Sequence, residues 1–109
     1  MRLKNKTAIV TGAASGMGKA IAELFAKEGA YVVVVDLNEK GVQTTVEAIQ
    51  SKGGIANGVV LDLSSEGAAE IILDKTLHAY GRVDILVNNA GIMDNFKTVG
   101  EATDELWEK

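Results

Sequence analysis

Thr11-Gly12-Ala13-Ala14-Ser15-Gly16-Met17-Gly18 is the stretch that decides the fold of this chain. It follows a short apolar run, Thr7-Ala8-Ile9-Val10, and leads directly into a helical pattern built on Ile21, Leu24, Phe25 and Glu28, with Ala20 and Ala22 leaving room for close packing. A strand that stops at a glycine-rich turn and re-emerges as a helix aims backbone N–H groups at one point in space. The positive end of the helix dipole points there as well, so the turn is a seat for a phosphate or pyrophosphate. The glycines divide the work: Gly12 makes the tight turn, Gly16 lets a ligand approach the backbone, and Gly18 lets helix and strand pack closely. Asp36, at the end of the next apolar run, supplies the acidic residue that such a turn needs for context.

Outward from this stretch the chain alternates between buried-strand runs and amphipathic helices. Strand one is read as Thr7–Thr11, and the first helix stops at Gly29. Tyr31-Val32-Val33-Val34-Val35-Asp36 is β-branched and too short for a helix, so it is strand two. Val42, Thr45, Val46 and Ile49 keep helical spacing up to Gly53-Gly54. Ile55 to Leu61 reads as strand three, with Asn57-Gly58 marking a bulge or turn as the alternative. Ala69, Ile72, Leu73, Thr76, Leu77 and Tyr80 form a helical stripe, with Ser64 or Ser65 as its cap and Gly81 as its stop. Val83–Val87 is strand four. Four strands separated by three helices predict a parallel α/β sheet with right-handed crossovers and the order 3-2-1-4, the Rossmann-type doubly wound arrangement. Ligand is expected at the carboxyl ends of strands one and four, where that order reverses.

The 109 residues contain 47% hydrophobic side chains, and mean hydropathy is +0.12, which suits a parallel sheet covered on both faces. Length bounds the chain to one domain. A net charge of −4, mixed in sign along the chain, argues against a nucleic-acid surface. The basic start, Arg2, Lys4 and Lys6, reads as a solvated edge. With no cysteine there is neither a disulfide framework nor a thiolate metal site. No apolar run is long enough to span a membrane, and strand one begins too early to leave room for a signal peptide, so a soluble cytoplasmic protein is expected.

The glycine spacing is Gly-x-x-x-Gly-x-Gly. With the preceding threonine it resembles the signature of the short-chain dehydrogenase/reductase family. Asn88-Asn89-Ala90-Gly91, after strand four, matches that family's second signature, and Asp62-Leu63, after strand three, matches a third. The wording is similar to that of bacterial members described as 3-oxoacyl-carrier-protein reductases or glucose dehydrogenases. The resemblance implies an oxidoreductase that moves a hydride between an alcohol or ketone and a nicotinamide, using a tyrosinate, a lysine and a serine. The family's Tyr-x-x-x-Lys is absent here, since Tyr31 is followed four residues later by Val35 and Tyr80 by Asp84. By the same resemblance the serine and the catalytic asparagine belong beyond Lys109. The expectation is therefore a dinucleotide-binding domain over residues 1–109, cut before the catalytic segment and inactive by itself.

Asp36 can accept hydrogen bonds from both ribose hydroxyls of an adenosine, each contributing roughly 1.5–3 kcal/mol. Its charge would repel a 2′-phosphate, and no lysine or arginine stands at Ala13, Ala14, Ser15, Leu37 or Asn38. NAD is therefore favoured over NADP, with a cap for the following turn as the alternative role of Asp36. By resemblance, Asp62 binds the adenine amino group beside the Leu63 backbone, or else caps the next helix. Asn89 presents its backbone to the ribose, and Asn88 ties strand four to its neighbours. The expected cofactor-binding set is Gly12, Ser15, Gly16, Met17, Gly18, Asp36, Leu37, Asp62, Leu63, Asn89 and Ala90, with no catalytic and no metal-ligating residue. His78 is read as a surface histidine, Asp84 as structural, and Trp107 as a packing residue. Met93, Asp94, Asn95 and Phe96 resemble the loop at the substrate mouth. A noncatalytic nucleotide-binding or interaction module is the competing function. The open edge of strand four predicts self-association or pairing with a C-terminal partner.

Overall fold

β1 (Thr7–Thr11), β2 (Tyr31–Asp36), β3 (Ile55–Val60) and β4 (Ile85–Asn88) alternate with α1 (Gly16–Lys27), α2 (Glu39–Ser51) and α3 (Ala68–Tyr80). The computed structural model describes residues 2–89. The strands form one parallel sheet in the order β3-β2-β1-β4, the predicted arrangement. Ala8 pairs in register with Val32 on one side and Ile85 on the other, so β1 is central.

Central position explains the apolar run. All five residues of β1 are buried, as are Val32 to Val35 of β2. Alternation along each strand then sorts them to two faces. Ala8, Val10, Val32 and Val34 pack with Ala22, Phe25, Val42 and Ile49 of α1 and α2. Ile9, Val33 and Val35 pack with Ala68, Ala69 and Ile72 of α3. Fully burying an aliphatic side chain of this size contributes about 1.5–3 kcal/mol, so neither face can be left uncovered without a large loss.

Several sequence expectations shift at element ends. The third helix is not capped by Ser64 or Ser65. It begins at Ala68, behind Gly67 at φ 80°. Both serines are engaged by a tight turn around Asp62: the Ser65 hydroxyl donates to the Asp62 carbonyl at 2.6 Å and the Ser64 hydroxyl to its Oδ1 at 2.6 Å. Asn57-Gly58 is neither bulge nor turn, because both pair regularly with Val33 and Val34. Glycine is needed at 58 for space: a Cβ there would lie 2.5 Å from Val42 Cγ1 of α2. Leu24 and Leu77, each on an expected apolar stripe, are exposed. β4 starts at Ile85 rather than Val83. Asp84 precedes it, and its carboxylate takes the place of a ladder carbonyl by accepting the Thr7 N–H at 2.8 Å.

At the amino edge of the sheet, the rings of Tyr31 and Tyr80 stack with centroids 5.1 Å apart. The Tyr80 hydroxyl donates to Asn57 Oδ1, which fastens the end of α3 to β3. Burial, then the neighbouring Tyr31, pushes the Tyr80 phenol above its ordinary value. Among the described residues no helix is long and apolar enough to cross a membrane.

Candidate dinucleotide site

The glycine turn joins the carboxyl end of β1 to α1. Gly12 and Gly16 sit at φ 63° and 60°, a region open to glycine at little cost. Ser15 is the N-cap in extended conformation, and its side chain makes no capping hydrogen bond. The first four N–H groups of a helix have no partner within it, and here they lie at an end rich in glycine. Charge distribution singles out this helix. α2 and α3 carry Glu39 and Glu70 in their first turns, which answer the positive end of each dipole, whereas the first turn of α1 has no acidic residue. The positive end of the α1 dipole is therefore not answered from within its own first turn. Around Gly16 an added Cβ would meet nothing within 4 Å, so the backbone there is open to a ligand. At Gly18 the reverse holds: a Cβ would fall on the Gly12 carbonyl, 2.7 Å from its carbon, and 2.8 Å from Asn89 Nδ2.

Hydrogen bonds fix the turn from two flanks. On the β2 side, Ala13 N–H donates to the Val35 carbonyl at 3.2 Å and Ala14 N–H to Asp36 Oδ2 at 3.1 Å. On the β4 side, Asn89 Nδ2 donates to the Gly12 carbonyl at 3.3 Å. The Thr11 hydroxyl reaches Asn88 Oδ1 at 3.2 Å and the Val87 carbonyl at 3.3 Å. Asn88 therefore ties β4 to β1 through its side chain, as expected, and Asn89 does similar work for the turn. Helical spacing puts Thr45 on the stripe of α2 but does not point to the turn, yet its buried hydroxyl donates to the Ala13 carbonyl at 2.9 Å.

Asp36 is half-buried at the tip of β2, and its other oxygen accepts the Asn38 N–H at 3.1 Å. It thus holds two backbone groups, the cap role included, and an ionised carboxylate has about four acceptor positions, so capacity remains for two hydroxyls. Met17 and Leu37 expose their apolar side chains. Leu63 is buried beneath the end of β3, next to the exposed Asp62. Hydrogen bonds from the Ser64 hydroxyl and then the Ser64 N–H hold the Asp62 carboxyl below its ordinary value.

Gly12 to Gly18, Asp36, Leu37, Asp62, Leu63 and Asn89 all stand at or after the carboxyl ends of the strands. Ala90, Gly91, the segment from Met93 to Phe96, and Trp107 lie outside the described residues. His78, exposed near the end of α3, is not among this group, and Asp84 sits before β4 at the opposite edge. Two grooves lie elsewhere: one of about 670 Å³ between the ends of α1 and α2, lined by Glu23, Lys27 and Lys52, and one of about 480 Å³ between β3 and α3, lined by Asp74 and His78. Neither is lined by the glycine turn or Asp36. Among the described residues no group of three or more His, Cys, Asp or Glu side chains could hold a metal.

A glycine turn with these donors, on a sheet of this order, agrees with the outcome of comparison with known proteins, in which a short chain dehydrogenase profile matches residues 6–109. The chain belongs to the short chain dehydrogenase family. It is 44% identical over 108 residues to an uncharacterized oxidoreductase of Bacillus subtilis, covering 99% of this chain and 40% of that relative. A 3-oxoacyl-[acyl-carrier-protein] reductase of Thermotoga maritima is 40% identical over 92 residues, 84% of this chain and 37% of the relative. Among solved structures, a 7α-hydroxysteroid dehydrogenase complexed with NADH and 7-oxo glycochenodeoxycholic acid is 45% identical, with a TM-score of 0.78 over 80% of this chain and 34% of that one. The chain thus spans about two fifths of the length of the curated relatives it matches.

Proposed function

We propose that residues 1–109 form an NAD-binding domain, the cofactor-binding part of an oxidoreductase that moves a hydride between an alcohol or ketone and NAD. The carrying observation is the 3.1 Å hydrogen bond from Ala14 N–H to Asp36, which brings the carboxylate we assign to the ribose against the turn we assign to the pyrophosphate. The open backbone at Gly16 and the uncompensated dipole of α1 fit a pyrophosphate. Gly16, Met17 and Gly18 would hold it through their N–H groups, the Ser15 hydroxyl would add a donor, and Asp36 would accept from the ribose. Asp62, Leu63, Asn89 and Ala90 would line the adenosine side, with the apolar surfaces of Met17 and Leu37. Bound NAD would supply the hydride acceptor, and the residues described here would bind and orient it. The alcohol or ketone class draws support from the 3-oxoacyl reductase and the hydroxysteroid dehydrogenase named above.

Calorimetric titration of the folded chain tests this reading. NAD and ADP-ribose should bind more tightly than NADP. Asp36→Ala should weaken NAD roughly tenfold or more, tenfold being about the loss of a single charge-assisted hydrogen bond, and narrow the gap to NADP. Equal affinity for NAD and NADP in the unmodified chain would remove Asp36 from this role.

The same reading extends to partners. β4 lies at one margin of the described sheet, and Leu86 and Val87 are only partly buried. A strand at a sheet margin is a template for pairing, so we expect the chain to self-associate, or to bind a C-terminal partner that supplies a further strand. Sedimentation over a concentration range should show mass rising with concentration. A monomer at every concentration, with strongly protected β4 amides, would count against it.

A further inference from the structure

We infer that α2 positions the phosphate-binding turn, with Thr45 as the positioning residue; the inference rests on the dinucleotide reading above. A threonine inside a helix commonly returns its hydroxyl to the carbonyl four residues earlier. Thr44 does so to Lys40 at 2.9 Å, and Thr76 to Ile72 at 2.8 Å. Thr45 does not. Its hydroxyl leaves α2 and donates to the carbonyl of Ala13, 32 residues away, with both residues fully buried. One helical turn earlier on the same face, Gly41 has no side chain, and a Cβ there would lie 2.6 Å from Ala14 Cβ. α2 therefore touches two consecutive residues of the turn, by a hydrogen bond at one and by close approach at the other.

The consequence for binding follows from the peptide between Ala13 and Ala14. Its carbonyl faces Thr45 and its N–H faces Asp36. Without the hydroxyl, a buried carbonyl loses its partner, and the peptide plane has reason to rotate toward another donor. Rotation would disturb the Asp36 contact and the approach into α1 together. Thr45 acts on the dinucleotide only through this peptide.

The test is calorimetry on the full chain, with NAD and ADP as probes. Thr45→Val keeps the shape and removes the hydroxyl, and should weaken both probes roughly three- to tenfold. Thr45→Ser restores the donor and should recover affinity to within about twofold of the unmodified chain. Thr76→Val removes a comparable buried hydroxyl far from the turn, and should lower the melting temperature without changing affinity. The inference is overturned if Thr45→Val binds both probes like the unmodified chain, if Thr45→Ser binds as weakly as Thr45→Val, or if Thr76→Val loses as much affinity. Should Thr45→Val fail to fold, Gly41→Ala decides. Alanine favours the helix yet presses a methyl against Ala14, so weakened binding supports the inference and unchanged binding overturns it. An unmodified chain that binds neither probe would bring down the dinucleotide reading and this inference with it. Normal binding by the unmodified chain, unchanged in Thr45→Val, would overturn this inference alone.

Discussion

Gly18→Ala should unfold much of what Gly16→Val merely blocks. An alanine Cβ at 18 would fall on the Gly12 carbonyl, a backbone group that cannot swing aside as a side chain could. The helix must lift from the strand or the turn must open, and overpacking of this kind costs about 3 kcal/mol or somewhat more. Gly12 also takes a hydrogen bond from Asn89, so a displaced carbonyl loosens the link to β4 as well. Gly16 presents the opposite case. There is space for a side chain, but the backbone is at φ 60°, where a β-branched residue is strained by about 1–3 kcal/mol. The added isopropyl group would stand in the open space beside Gly16 that the proposed pyrophosphate would use. Gly16→Val should therefore bind no NAD even at millimolar concentration, with a partial loss of stability, while Gly18→Ala should lose binding and most of its stability together. Chemical denaturation run beside calorimetry separates the two. A Gly18→Ala protein that melts like the unmodified chain would show that helix and strand have slack, and normal NAD binding by Gly16→Val would place the pyrophosphate elsewhere.

These two glycines show what a sequence can announce. Their spacing, between an apolar run and a helical pattern, is local, and local signals survive without knowledge of the fold. The strand order was legible for a related reason: four apolar runs separated by helical stripes give a parallel sheet with right-handed crossovers, and the glycine turn after strand one, with Asp36 after strand two, points to the Rossmann-type order. Where the expectations slipped or stayed open, the deciding contact was one that composition does not display. Asn57-Gly58 has the composition of a turn, yet the strand reading holds through it, because both residues pair in the ladder with Val33 and Val34 and the glycine lies against Val42. Ser64 and Ser65 have the composition of a cap, but Asp62 engages them first. Leu77 keeps helical spacing, yet the face of α3 that meets the sheet is narrower than the stripe. Thr45 signals a helix stripe but not its contact with the turn, because its partner is a backbone carbonyl 32 residues away. Asp36 was legible as a carboxylate at a strand end. That it also grips Ala14 was not, since the turn and the tip of β2 meet only in the folded chain.

Asp84 should make the chain acid-labile, through a contact at the opposite edge from the site. Its carboxylate accepts the Thr7 N–H at 2.8 Å and the Arg82 guanidinium at 2.6 Å, while its own N–H donates to the Thr7 carbonyl at 2.9 Å. Burial pushes this carboxyl upward, but the Arg82 hydrogen bond, the Thr7 N–H and the charges of Arg82 and Lys6 together outweigh it and hold it below its ordinary value. A carboxyl whose folded value is depressed contributes stability that is fully present above its unfolded value, near 3.9, and lost as pH falls through the folded value. The expected result is a denaturation midpoint that is flat through neutral pH and falls below about pH 4. Asp62, also held down, adds to that fall, so a comparison of variants isolates Asp84. Asp84→Ala strands the buried Thr7 N–H and should cost about 1–3 kcal/mol at pH 7, with a shallower acid limb. Asp84→Asn keeps an acceptor for Thr7, so it should cost less at pH 7 while losing the same part of the acid limb. An acid limb as steep in both variants as in the unmodified chain would remove Asp84 from this role. The effect should also reach the site. Asp84 fixes the register in which Ile85 meets Ala8, and β4 then carries Asn88 to Thr11 and Asn89 to Gly12. Slack at Asp84 is therefore passed along one short strand to the carbonyl that faces Gly18, and Asp84→Ala should weaken NAD binding even where the chain remains folded.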